Sequence, residues 1–147
     1  MRKNIHGTSP YESIIGFSRA VRLDNFVYVS ATGPVGADDA DAATQARHIF
    51  KLIQKALADA DAALEDVVRT RIYLTHVEDW EAVARVHAEF FREIRPAATM
   101  VVVRQLLNPT WHLEIEADAV LPQSSARAQA SARMGSEESG SIEKGTS

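Results

Sequence analysis

The residues best suited to carry chemistry are acidic side chains near the end of an apolar, alternating segment. Glu114, Glu116 and Asp118 alternate with apolar residues over positions 111–121, so the three carboxylates share one face of a predicted strand. Carboxylates placed in this way can act as general acids or bases, or they can pair with arginines of a neighbouring strand. Both interpretations stay open at this point.

Two arginines provide positive charge that could reach these carboxylates. Arg69 and Arg71 share one face of a second predicted strand, at positions 67–75, with Tyr73. If the two strands are neighbours, cross-strand or intersubunit ion pairs form, and such pairs are the structural alternative to catalysis. An ion pair of Glu114 with either arginine would make that glutamate structural.

Other reactive residue types give weaker signals. The chain has five histidines, His6, His48, His76, His87 and His112. None forms the i, i+4 pair of a helix-borne metal site, and none has a carboxylate at a recognised ligand spacing. We therefore predict no metal and no cofactor. His87 lies on the apolar stripe of a predicted helix, which favours a hydrogen-bonded core or interface histidine. The chain has no cysteine and no GxSxG, GxGxxG or P-loop motif, which excludes thiol chemistry and gives no support for serine-nucleophile or nucleotide sites.

Two periods in the hydrophobic pattern predict the elements that position these residues. Steps of three and four residues predict a helix from near Asp41 to about Ala63, and a second helix over 80–94 that Arg95-Pro96 ends. Short apolar or alternating runs predict five strands, at 16–21, 26–31, 67–75, 98–106 and 111–121. The order ββαβαββ is that of an α+β fold with two helices on one face of a sheet.

The strands carry more apolar surface than two helices can cover. In residues 26–31 both alternating sets of side chains are largely apolar, and residues 100–103 are all apolar. The second face of the sheet therefore needs another chain, and we predict a homo-oligomer.

Length and composition predict one folded domain at residues 14–122. It follows an N-terminal segment at 1–13, and residues 123–147 have so few apolar side chains that we predict a disordered C-terminal tail. No apolar run approaches the roughly 18 residues that a membrane span needs, and no targeting segment is recognised, so we expect a cytoplasmic protein without a membrane partner. The net charge of -4 makes nucleic acid an unfavourable partner.

Six segments of the chain, in the same order, resemble the RidA/YjgF family of imine-handling proteins, and together they span about residues 14–121. IGFSRAV at 15–21 resembles the family's GPYSQAV, VYVSATGP at 27–34 its VSGQIP strand, and DVVRT at 66–70 its DVVKT. AEFF at 88–91 resembles YAEFF, PAAT at 96–99 resembles PARS, and EIEA at 114–117 matches the family's EIEA. On these motifs the chain is identified as a member of the family.

The resemblance implies a chorismate-mutase-like fold and a homotrimer around a central barrel, with small-molecule clefts between subunits. It also implies hydrolysis of enamines and imines, such as 2-aminoacrylate, to 2-keto acids and ammonia. In that chemistry an arginine binds the substrate carboxylate and a glutamate orients or activates water. By position the glutamate is Glu114 and the cleft serine is Ser30, whereas Phe17, Ala31 and Thr32 replace the family's tyrosine, glycine and glutamine.

The largest departure from the family is Ala98, which occupies the position of the carboxylate-binding arginine. Arg95 or Arg71 could supply the missing cation. Without the arginine and the tyrosine hydroxyl, the cleft is predicted to be less polar and to suit a neutral or larger ligand. Trp111 and Met100 could line it, although core packing is the expected role of both.

Three functions remain compatible with the sequence. The first is an imine or enamine deaminase with a substrate outside the usual small 2-imino acids, in which Glu114 positions water and Ser30 or Thr32 supplies hydrogen bonds. The second is a non-catalytic module that binds a small metabolite or a partner protein in the same cleft. The third, endoribonuclease activity ascribed to some relatives, is disfavoured by the acidic charge balance and the lack of a basic aromatic patch.

Overall fold

Six strands and two helices make up residues 1–123, the part of the chain that the computed structural model describes. The strands are β1 (Arg2–Ile5), β2 (Ala20–Leu23), β3 (Phe26–Thr32), β4 (Val67–Leu74), β5 (Ala97–Val102) and β6 (Leu113–Val120), and the helices are α1 (Ala42–Asp59) and α2 (Trp80–Phe91). They form one sheet in the order β1-β2-β3-β6-β4-β5, in which only the β4–β5 pair is parallel. The predicted tail lies, from residue 124 onward, outside the described residues.

The predicted order ββαβαββ is confirmed, with one strand added before it. β1 pairs with β2 from Arg2 opposite Leu23 to Ile5 opposite Ala20. Its residues are polar except Ile5, which is buried, so hydrophobic periodicity gives no sign of it. Backbone hydrogen bonding to β2 holds this edge strand, and such pairing does not require an apolar face.

The first strand of the predicted hairpin begins at Ala20 rather than at Gly16. A single π-helical turn, Glu12–Gly16, precedes it and ends at Gly16, whose φ of 85° lies in the left-handed region that glycine adopts without a steric penalty. This turn exposes the apolar side chains of Ile14 and Ile15.

Helix α1 begins where the sequence predicts, because the Asp41 side chain accepts a hydrogen bond from the Thr44 backbone N–H at 2.8 Å. Helix α2 ends at Phe91, earlier than the predicted residue 94. The chain then turns over residues 92–95, and Arg95 has a φ of 54°, a conformation incompatible with a continuing helix.

Both helices pack against one face of the sheet. The Phe50 ring of α1 lies 5.0 Å from Phe90 and 5.6 Å from Phe91 of α2, measured between ring centroids. His87 is half-buried and hydrogen-bonded, as predicted for a core or interface histidine, since its Nε2 lies 2.8 Å from the Thr70 hydroxyl, and burial lowers its pKa. Burial of each such aromatic ring contributes about 1.5–3 kcal/mol to the core.

The alternation predicted for β6 is present, and it separates the core from the open face of the sheet. The apolar residues of β6 face the helices, whereas Glu114, Glu116 and Asp118 lie on the open face. Arg71 Nη1 donates to Glu116 at 3.4 Å and to Asp118 at 3.2 Å, and Tyr73 donates its hydroxyl proton to Glu116 at 2.7 Å. The predicted ion pairing between arginine and carboxylates is confirmed. Arg71 pairs with Glu116 and Asp118, and not with Glu114.

The open face also carries exposed apolar side chains. Phe26 and Tyr28 of β3 stack at a centroid distance of 6.5 Å, and about half of each side chain is exposed in the single chain. Val101 on β5 is exposed opposite Tyr73. Within the described residues, no helix is both long enough and apolar enough to cross a membrane.

Candidate functional site

A cavity of about 240 Å³ lies between the N-terminal turn, β3 and the start of β6. Its lining is mostly apolar, with a few polar groups at one side. The lining residues on which its chemistry depends are Phe17, Arg19, Ser30, Ala31, Trp111 and Glu114. A small apolar cavity with a few convergent polar groups is typical of a metabolite site.

A β-bulge positions the β3 residues of the cavity. Val29 pairs with Ala117 and Thr32 pairs with Ile115, so Ser30 and Ala31 together lie opposite a single residue of β6. Bulges of this kind are frequent next to functional sites because they change the direction of side chains. Here both bulge residues border the cavity, which a regular strand would not allow.

Glu114 is half-buried in the wall of the cavity. Burial raises the pKa of its carboxyl group above the ordinary value, and the positive charge of Arg19 partly offsets this effect. A carboxyl group with a raised pKa keeps its proton to a higher pH than an exposed one does, which suits a group that both donates and accepts a proton.

Arg19 supplies the positive charge of the cavity. Its Nη2 donates a hydrogen bond to the Ala31 carbonyl at 2.7 Å, and its guanidinium carbon lies 5.5 Å from the centroid of the Phe17 ring. Its Nε is buried and, within residues 1–123, has no hydrogen-bond partner. Burial lowers the pKa of the guanidinium, and the charges of Glu12 and Glu114 act in the opposite direction.

Glu12 holds the strand that presents Arg19. Its Oε1 accepts hydrogen bonds from the backbone N–H groups of Gly7 at 3.0 Å and of Arg19 at 3.1 Å. The carboxylate therefore binds main chain on both sides of the π-helical turn. This leaves the Arg19 side chain directed at the Ala31 carbonyl and the cavity.

Trp111 forms the apolar wall of the cavity and is fixed at two places. Its Nε1 donates to Asp38 Oδ1 at 2.8 Å, a bond that lowers the pKa of Asp38. Its six-membered ring lies directly against Gly33, where a Cβ atom would overlap the indole. Trp111 is thus buried, as expected for a core residue, and also lines the cavity.

The family profile described as Endoribonuclease L-PSP matches residues 7–121. The chain belongs to this family, which is also known as the YjgF family. The matched residues include those that line the cavity and every strand except β1.

Individual relatives agree with this assignment. The YjgF-family chain is 36% identical over 114 residues to 3-aminoacrylate deaminase RutC of Acinetobacter baylyi, a match that covers 74% of this chain and 88% of the relative. The crystal structure of Rv2704 from Mycobacterium tuberculosis, a member of the YjgF/YER057c/UK114 family, has 44% identity and a TM-score of 0.78 over 82% of this chain and 100% of that one. The YjgF structure from E. coli has 28% identity and a TM-score of 0.73, over 82% and 99% of the two chains. The chorismate-mutase-like fold implied by the sequence is thereby confirmed.

Four of the predicted site residues of this YjgF-family protein come together in the cavity, namely Phe17, Ser30, Ala31 and Glu114. Ser30 donates its hydroxyl proton to the Ser18 carbonyl at 2.7 Å. Thr32 lies behind the bulge, where it is buried and donates to the Ser30 carbonyl at 2.8 Å. Its hydroxyl group supports the bulge and does not line the cavity.

The other three predicted site residues lie away from the cavity within one chain. Ala98 is on β5, at the opposite edge of the sheet from the cavity. Arg95 donates its Nε–H to the Arg92 carbonyl at 3.1 Å, and Arg71 is bound to Glu116 and Asp118. Within one chain neither Arg95 nor Arg71 lines the cavity, whose arginine is Arg19. A role for either of them in a cleft between subunits stays a prediction.

Sequence reasoning missed Arg19 because its position aligns with a glutamine in the family motif. The available signal was a charged residue inside the apolar run 14–21. Sequence reasoning also missed a group formed by His76, Asp79 and His112, each of which offers one ligand atom within 4.8 Å of the others. Met100, in contrast, packs against the core, which was its expected role.

Proposed function

We propose that this YjgF-family protein hydrolyses an enamine or imine metabolite to a carbonyl compound and ammonia in the cavity at Glu114. The observation that carries the proposal is a carboxyl group with a raised pKa beside a guanidinium in a small apolar cavity. The 36% identical relative from Acinetobacter baylyi is a deaminase of 3-aminoacrylate, which is itself an enamine.

The proposed reaction needs one group that moves protons. For an imine, the oxygen of a water molecule attacks the carbon of the C=N bond while the Glu114 carboxylate accepts a proton from that water. The resulting carbinolamine receives a proton on nitrogen, the C–N bond breaks, and ammonia leaves as the carbonyl group forms. An enamine first takes up a proton on the alkene carbon that does not bear the nitrogen, which converts it to the imine, and the protonated form of Glu114 can donate that proton. Imine and water are thus converted to carbonyl compound and ammonia with no other reactant.

Arg19 is proposed to bind the substrate carboxylate. A guanidinium can donate two parallel hydrogen bonds to a carboxylate, and only one of its nitrogens is engaged with the Ala31 carbonyl. This residue would take over the role that the family arginine has at the position of Ala98. Because a cavity of about 240 Å³ is small and contains Arg19, the substrate proposed here is a 2-imino acid or enamine of a few heavy atoms, in place of the neutral or larger ligand expected from the sequence.

The active assembly is proposed to be a cytoplasmic homotrimer with clefts between subunits. Ile15 and Leu107 line the cavity but are 59% and 73% exposed in one chain, which is unusual for apolar residues of a ligand site. A neighbouring chain that covers them would close the cavity. Light scattering is expected to give a mass of three chains, and a monomer at micromolar concentration would contradict this arrangement.

The decisive experiment measures keto-acid and ammonia release from a panel of 2-imino acids, generated in place by an amino-acid oxidase. The protein is expected to accelerate release above the spontaneous rate for at least the smallest members of the panel. The same preparation denatured by heat is the control. Equal rates with native and denatured protein across the panel would contradict the proposed reaction.

The alternative of a non-catalytic binding module has one observation in its favour. The hydroxyl protons of Ser30 and Thr32 are donated to main-chain carbonyls, so neither hydroxyl is free to donate to a substrate. A 2-keto acid that raises the melting temperature of the protein, together with no hydrolysis in the panel assay, is the result expected of such a module.

A further inference from the structure

A cluster of two histidines and one aspartate lies where β4 ends and β6 begins. His76 follows β4, Asp79 ends the short turn before α2, and His112 immediately precedes β6. One ligand atom of each residue lies within 4.8 Å of the other two. We propose that this histidine–aspartate cluster binds a divalent transition-metal ion of the zinc type.

Two of the three ligands already lie side by side, joined by a hydrogen bond that a metal ion would replace. His112 Nδ1 lies 3.0 Å from Asp79 Oδ2. In a tetrahedral zinc site with bonds of about 2.0–2.1 Å, ligand atoms are about 3.4 Å apart. The exposed His76 ring, whose centroid is 6.0 Å from that of His112, completes the set by a side-chain rotation.

His112 is fixed by its main chain, and Asp79 is directed at it. Asp79 directly precedes α2, but its side chain makes no capping hydrogen bond to the helix, so its carboxylate is directed to His112. The backbone N–H of His112 donates to Gln45 Oε1 at 2.8 Å, and its carbonyl accepts from the Thr75 N–H at 3.0 Å. Fixed ligands of this kind lower the entropy lost on metal binding.

A neighbouring hydroxyl group selects the form of His76 that can bind a metal. Thr75 Oγ1 lies 3.0 Å from His76 Nδ1 and donates toward the His112 carbonyl at 3.3 Å. When the Thr75 hydroxyl donates its one proton to that carbonyl, His76 Nδ1 donates to Thr75 and its Nε2 keeps the lone pair. Metal-binding histidines typically have one ring nitrogen fixed in this way.

The donor set decides which ions fit. Two imidazole nitrogens and one carboxylate oxygen suit Zn²⁺, Co²⁺, Ni²⁺ and Cu²⁺, whereas Mg²⁺ and Ca²⁺ require mainly oxygen ligands. Three protein ligands leave a fourth position for water. A bound ion would join the start of α2 to the start of β6, the strand that carries Glu114.

The test is titration of the full chain, freed of any affinity tag, with Zn²⁺ by calorimetry and with Co²⁺ by visible absorption. We expect one ion per chain, with an affinity that falls at acidic pH because protons compete with the metal for its ligands. His76→Ala is expected to weaken Zn²⁺ binding by about tenfold or more. His6→Ala removes an exposed histidine outside the cluster and should bind as the native protein does.

A further variant guards against misfolding. Asp79→Asn keeps the size of the side chain and a hydrogen-bonding group toward His112 but removes the charge, and it should lose binding with an unchanged melting temperature in the absence of metal. The proposal is overturned if the native chain binds no stoichiometric Zn²⁺. It is equally overturned if His76→Ala and Asp79→Asn bind Zn²⁺ as tightly as His6→Ala does.

Discussion

Glu114→Gln is expected to lower kcat/KM for imine hydrolysis by about 10²- to 10⁴-fold, because the amide cannot accept or deliver the proton that moves in each step. The side chain keeps its shape and its place in the cavity wall. Glu65→Gln, on the exposed turn before β4, removes a carboxylate elsewhere and should retain native turnover. The rates are measured as keto-acid release under the same conditions for all three proteins.

Glu114→Gln should not lower the melting temperature, whereas the loss of a carboxylate with a structural role would lower it. The pKa of Glu114 is raised in the folded protein, so its contribution favours folding below the unfolded pKa of about 4.3 and is lost as the pH rises through the folded pKa. Glu114→Gln is therefore expected to keep or raise the melting temperature at pH 7 and to flatten its dependence on pH above 4. A clear drop in melting temperature at pH 7, with turnover retained, would assign Glu114 a structural role.

Arg19→Gln is expected to reduce kcat/KM for 2-imino carboxylates on the order of 100-fold, since a hydrogen bond to a charged group contributes about 1.5–3 kcal/mol. Imines that carry an amide or ester in place of the carboxylate should lose far less. Arg85→Gln, which removes an exposed arginine on α2, is the matched control. Equal losses on charged and neutral substrates would show that Arg19 shapes the cavity without binding the carboxylate.

Two further variants separate charge from geometry at this position. Arg19→Lys keeps the charge but not the two parallel donors, so its activity should fall between those of the native protein and Arg19→Gln. In the Arg19→Gln background, Ala98→Arg tests whether the family position reaches the cavity. Recovered activity there would mean that a neighbouring chain brings its β5 to the cleft, since Ala98 lies at the far edge of the sheet within one chain.

The helices and strands that could be predicted from the sequence are those specified by residues close together in the chain. Asp41 caps α1 as its residue type predicts, and the alternation around Glu114 gives β6 its buried and open faces. β1 could not be predicted, because a polar edge strand is stabilised by backbone pairing with β2 and not by a hydrophobic pattern. The late start of β2 depends on the turn at Gly16, whose conformation depends on the contacts that Glu12 makes with distant main chain.

The site was predictable only in part. Glu114 and Ser30 follow from the family motifs, which carry information that periodicity lacks. Arg19 is held at the cavity by its hydrogen bond to the Ala31 carbonyl, which lies in the bulge, and this is a tertiary contact that a single sequence does not encode locally. The proximity of His76 and His112 likewise arises from the antiparallel pairing of β4 with β6.

Gly33 and Trp111 are in contact, and both line the cavity, so the size of the cavity depends on these two positions together. Any side chain at residue 33 would displace the indole and break its bond to Asp38, whereas a smaller residue at 111 would leave room for one. Paired changes at these two sites could therefore resize the accepted molecule while Glu114 and Arg19 stay as they are.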